Sequence, residues 1–64
     1  MNKDRLISNI NSEEVWDWVK YRYASLLLHR FYGEDVIEFI KSKYEDTQDN
    51  TYLKILEGKV EHLS

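Results

Sequence analysis

The sequence predicts an all-α fold: one small domain over residues 1–64, built on a long first helix with two shorter helices folded back on it. Three observations carry this. The chain has no Pro and only two Gly in 64 residues, so little interrupts helical hydrogen bonding. Apolar residues recur at intervals of three and four from Trp16 onward, the spacing of a helix face. Polar clusters and Gly33 divide that pattern into segments of helical length.

The long helix is expected over about 11–32. Asn11 and Glu14 stand at the spacing of a capping box, and Ile10 and Val15 at that of a hydrophobic staple. Gly33 supplies a residue able to turn left-handed and end the helix. Two stripes run along it. Trp16, Val19, Tyr23, Leu27 and Phe31 form the stripe expected to face the core, with Val15 and Leu26 beside it. Trp18, Tyr21, Ser25, Leu28 and Tyr32 form a second stripe on nearly the opposite side, where a surface helix is ordinarily polar.

The shorter helices follow at about 34–45 and 51–63. Glu34 and Asp35 open the first and Lys41 and Lys43 lie near its end, matching the helix dipole at both termini. Its apolar face is Val36, Ile37, Ile40 and Tyr44. The polar run Glu45 to Asn50 is the expected loop, with Asp46, Thr47, Asp49 or Asn50 available to cap the next helix. The last helix presents Tyr52, Leu53, Leu56, Val60 and Leu63, echoing the apolar pattern of its predecessor sixteen residues earlier. Two helices packed by one template on a central helix account for this echo, whose period is shorter than that of solenoid repeats. Gly58 inside the last helix implies either a close neighbouring backbone or a weak helix end. Residues 1–10 are expected to add only a short helical turn, held by Leu6, Ile7 and Ile10.

Composition excludes several function classes. Without Cys there is neither a disulfide framework nor a thiolate zinc site, so dense aromatic packing or self-association must support so short a chain. No serine stands in a nucleophile-elbow context, and a bundle of this size has little room for a substrate pocket, which points away from catalysis and from any cofactor. His29 has Ser25 and Gly33 as its i−4 and i+4 neighbours, and His62 has Gly58. The pairs Glu34/Glu38 and Glu57/Glu61 lack the Glu-x-x-His partners of a bundle metal site, and read as solvated acidic faces. A net charge of −3 argues against nucleic acid, and the last helix mixes Lys54 and Lys59 with Glu57 and Glu61 where a recognition helix would be basic. Lys20, Arg22 and Arg30, interleaved with Tyr21 and Tyr23, are the one basic-aromatic cluster favouring a nucleic-acid-binding domain.

No basic leader with an apolar run opens the chain, and its longest apolar run is Leu26 to Leu28. The expectation is a soluble cytoplasmic protein with no membrane partner. Residues with AT-rich codons (Phe, Tyr, Met, Ile, Asn, Lys) far outnumber Gly, Ala, Arg and Pro, as in an AT-rich bacterium or a phage or mobile element within one. The favoured function is a small acidic protein-binding module, an inhibitor or adaptor docking on a larger protein, of the size of a phage or mobile-element accessory factor. Its expected interface is the second stripe: Trp18, Tyr21, Ser25, Leu28 and Tyr32, since aromatic residues are enriched in protein interfaces. The first alternative is a homodimer joined along the same stripe, and the second a nucleic-acid-binding helical domain. No motif here is specific enough to suggest a family.

Overall fold

The computed structural model describes the backbone of residues 2–63 and the side chains of residues 2–58. Four α-helices follow one another: α1 (Lys3–Asn11), α2 (Asp17–Arg30), α3 (Glu34–Thr47) and α4 (Asn50–Leu63), with no strand among the described residues. The Cα radius of gyration is 10.8 Å, against about 10.7 Å for a compact chain of this length. All four helices therefore belong to one packed body.

The N-terminal segment is a complete helix rather than a turn. The Asn2 side chain accepts the Arg5 N–H at 2.8 Å and Asp4 lies in the first turn, so the helix start is capped and matched to the dipole. Leu6 and Ile10, one turn apart, are fully buried.

Asn11 closes α1 and does not cap α2, which corrects the long helix expected over 11–32. Residues 12–16 are not helical; within them the Ser12 hydroxyl accepts the Glu14 N–H at 3.2 Å. The physical reason lies in burial. A helix running through Asn11 would carry Leu6 and Ile10 away from the rest of the core, whereas breaking the chain at 12–16 lets α1 fold back against α2. Burying an aliphatic side chain of this size contributes about 1.5–3 kcal/mol, and a side-chain cap about 1 kcal/mol. Two buried aliphatics outweigh one cap. Accordingly α2 starts without a side-chain cap: the Trp16 carbonyl accepts from the Val19 and Lys20 N–H groups at 3.1 and 3.0 Å.

The helix α2 stops at Arg30, with the Phe31 N–H donating to the Leu27 carbonyl at 2.9 Å. Gly33 is extended, with φ 176°, so it does not supply a left-handed stop. The left-handed residue is Gln48, φ 57°, which ends α3 and donates its N–H to the Tyr44 carbonyl at 2.7 Å. Thus α3 reaches Thr47 and the expected six-residue loop contracts to Gln48 and Asp49. The Thr47 hydroxyl bonds back to the Lys43 carbonyl at 2.7 Å and accepts the Asp49 N–H at 3.2 Å. Asp49 is the cap of α4, its Oδ1 accepting the Thr51 N–H at 3.0 Å.

In the packing, α1 lies on α2, α3 on α4, and α2 also touches α4 and, over a shorter stretch, α3. Two polar links join α1 to α3: an ion pair of Lys3 with Asp35, and a hydrogen bond from Lys43 to the Asn11 side-chain oxygen at 3.1 Å. Both connect positions 32 apart in the chain, so α1 and α3 run parallel and in one register. The core comprises Leu6, Ile10, Ala24, Leu27, Leu28, Val36, Ile40, Tyr52 and Leu56. The pairs Leu6/Ile10, Val36/Ile40 and Tyr52/Leu56 are each one turn apart and close around Ala24, Leu27 and Leu28 of α2. No described polar side chain is buried without a hydrogen-bond partner.

Of the residues expected in the core, Leu27, Ile40 and Leu56 are buried, while Val19 and Phe31 are half-buried. Trp16 is 69% exposed, which corrects its assignment to the inward stripe. Val60 and Leu63, expected on the inward face of the last helix, and Glu61 and His62 lie outside the residues whose side chains are described. Gly58 has no atom within 4 Å of where a Cβ would stand, so no neighbouring backbone requires a glycine there. No helix among the described residues is long and apolar enough to cross a membrane.

Candidate functional site

The two stripes read along the first long helix are not its two faces. The line pointing into the core runs between them, through Ala24, with Leu27 from one stripe and Leu28 from the other at its sides. Because α2 carries apolar residues nearly all the way round, its own periodicity does not select a face; the surrounding helices do. The small Ala24 sits where α2 is most enclosed, and turning that position inward sends Trp18, Arg22 and Ser25 outward.

The five residues expected to share an interface are accordingly divided. Leu28 is 1% exposed and belongs to the core, so it cannot lie on an outward face. Tyr21 is half-buried against α4: its hydroxyl donates to Asp49 Oδ2, and its ring meets that of Tyr52 edge-on, centroids 5.6 Å apart. Trp18 and Ser25 are exposed on the outer side of α2. Tyr32, 47% exposed, lies beyond its C-terminal end.

The Tyr21–Asp49 contact has a clear electrostatic signature. Donation to the Asp49 carboxylate, reinforced by burial, pushes the Tyr21 hydroxyl up to about 12. The same bond, followed by the Thr51 N–H, holds the Asp49 carboxyl below the usual carboxylate range. One carboxylate thus caps α4 with one oxygen and ties it to α2 with the other.

On the outer side of α2, a groove of about 390 Å³ is lined by Trp18, Val19, Arg22, Tyr23 and Leu26. A second, of about 340 Å³, is lined by Arg22, Ser25, Leu26 and His29. They share Arg22 and Leu26, and together follow the helix from Trp18 to His29, about 17 Å at the usual rise. Trp16, placed outward by the turn before α2, stands edge-on to Trp18 with centroids 6.3 Å apart at 60°. Trp18 is 54% exposed, so two large aromatic surfaces meet solvent at one end of the groove.

Sequence periodicity missed Trp16, Val19, Arg22, Tyr23, Leu26 and His29 as members of one surface. Charge offered a signal that periodicity did not. From Trp18 to Gly33 the chain has Lys20, Arg22 and Arg30 and not one of its 12 carboxylates. By contrast, α3 carries Glu34, Asp35, Glu38, Glu45 and Asp46 against Lys41 and Lys43. Asp17, at the start of α2, acts electrostatically on Tyr21 and Tyr52, on the α4 side. The acidic chain therefore presents one aromatic, cationic face.

Among the described residues, no three His, Asp or Glu side chains come together in a way that could hold a metal ion. What the fold and this face define is a small all-α domain with a grooved, aromatic and cationic outer helix. Comparison of the chain with protein-family models, with curated proteins and with solved structures finds no match.

Proposed function

We propose that this chain is a small protein-binding module that docks on a larger protein through the outward face of α2, acting there as an inhibitor or adaptor. The observation supporting this reading is the exposed Trp16–Trp18 pair at the end of the Trp18–Leu26 groove. Tryptophan is the residue most often found to dominate binding energy at interfaces, where it fills a pocket and excludes water. A domain this small needs its aromatic residues for its own core, and two Trp left outside it have no role in that core. The role is binding without catalysis. Cytoplasmic location, and origin as an accessory factor of a phage or mobile element, belong to the same proposal and are supported by size and composition alone.

The rival reading, a homodimer along α2, meets an electrostatic obstacle. Two copies placed face to face would bring the cations Arg22 and Arg30 of both into one interface, with no carboxylate between Trp18 and Gly33 to offset them. Like charges set across an interface disfavour association.

Light scattering on a sizing column separates the two. The expected mass is that of the 7.8 kDa monomer up to several hundred micromolar. In host-cell lysate, the parent chain should retain a protein that a Trp16→Ala/Trp18→Ala variant of unchanged helicity does not. A stable dimer dissociated by Trp18→Ala would replace this proposal with self-association, and equal retention by parent and variant would remove the α2 face from the binding surface.

A further inference from the structure

We infer that the partner element received by the outward face of α2 is an amphipathic helix of another protein, its apolar stripe flanked by Asp and Glu. This rests on the docking reading above and names the class of occupant.

Shape supports a helix. The two depressions adjoin along the exposed face of α2 over about 17 Å, or three helical turns, and every residue lining them belongs to α2 itself. A partner helix packed alongside such a face anchors at i, i+3 or i+4, and i+7, which matches that length. A peptide adding as a β-strand would need a sheet edge to pair with, and all regular structure among the described residues is helical.

Charge selects the flanks. Trp18, Val19, Tyr23 and Leu26 supply the apolar floor, and Arg22 lines both grooves with His29 at the far end. Arg30, exposed at the end of α2, adds a second cation to this side of the molecule. A carboxylate on the partner meets Arg22 as a planar, bidentate donor. A basic partner helix would instead lie against uncompensated cations. Elsewhere the domain is acidic, so an acid-flanked helix is drawn to this face and repelled by α3, which gives orientation as well as attraction.

The same cations could attract a polyanion, but single-stranded nucleic acid needs a basic track along its backbone as well as stacking platforms. Here Arg22 within the lining and Arg30 at the end of α2 are too few for such a track, on a chain of net charge −3. The balance favours an acidic helix.

The test uses the full chain and a displayed library of 18-residue peptides patterned as amphipathic helices, with flanking positions varied among Asp, Glu, Lys, Arg, Gln and Ser. The expected result is enrichment of Asp and Glu on both flanks. Selected peptides should bind tenfold or more weakly to Arg22→Glu, which should itself select Lys and Arg, and should weaken several-fold as salt rises from 50 to 500 mM. Enrichment of neutral or basic flanks, with binding lost on Trp18→Ala, would overturn the acidic partner and leave docking on α2 standing. Peptides that bind Trp16→Ala/Trp18→Ala as well as the parent, or no enrichment at all, would overturn both. Salt-steep binding of a 20-nucleotide single strand, stronger than that of any selected peptide and lost on Arg22→Glu, would also overturn the acidic helix and assign the face to nucleic acid.

Discussion

Replacing Tyr21 with Phe removes one hydroxyl and keeps the ring that meets Tyr52, so it isolates the link from α2 to Asp49. A hydrogen bond to a charged acceptor contributes about 1.5–3 kcal/mol. Tyr21 and Asp49 are both only partly buried, and water replaces part of the loss, so about 1 kcal/mol is expected, or about 4–8 °C in Tm for a domain of this size. The pH dependence is specific. In the folded state the Asp49 carboxyl lies below its ordinary value. Its contribution is therefore complete above the unfolded value of about 3.9 and is lost as pH falls through the folded one. Tyr21 is raised to about 12, so its contribution is complete below about pH 10, the unfolded value, and is lost as pH rises towards 12. The gap between parent and Tyr21→Phe should be constant from about pH 5 to 9 and should close on both sides. Thermal melts followed by circular dichroism from pH 2.5 to 11.5 measure it. Asp49→Asn, which keeps a competent cap, completes a double-mutant cycle whose coupling reports the bond itself. If Tyr21→Phe melts within 1 °C of the parent at pH 7, or the gap ignores acid, the contact contributes nothing to stability and the argument fails.

Leu28→Ala should cost about 2–5 kcal/mol by leaving a cavity beside Ala24, whereas Trp18→Ala should leave the melting temperature nearly unchanged. Urea titrations of the two variants test the rotation of α2 directly, and the reverse order would mean that the helix faces the other way. Gly58→Ala should stabilise by up to about 1 kcal/mol, since the new methyl meets open space; a lower melting temperature would show a neighbour close by. Lys3→Met should return the Asp35 carboxyl towards its ordinary value, because the Lys3 ammonium is the main cause of its depression. Carbon-detected NMR titration would show this, and an unchanged Asp35 would place Lys3 elsewhere.

The all-α class was legible in the sequence because it depends on local chemistry: no Pro, few Gly and apolar spacing of three and four. So were four inward positions of the last two helices: Val36, Ile40, Tyr52 and Leu56 recur at a spacing of four and are buried as the pattern implies. By contrast, Ile37, Tyr44 and Leu53 are half-buried, and Val60 and Leu63 lie outside the described side chains. The proposed docking role rests on exposure rather than on any motif. The start of α2 was not legible, because Asn11 and Glu14 satisfy a local capping rule that burial of Leu6 and Ile10 overrides. Nor was the orientation of α2. A helix apolar on every side has no preferred face of its own, so its rotation is decided by what α1, α3 and α4 bring to it. Tertiary packing turned Ala24 inward, took Leu28 into the core and left Trp16 and Trp18 in solvent. The tie from Tyr21 to Asp49 spans 28 positions, beyond the reach of any local pattern, and exists only because α2 and the cap of α4 meet in space.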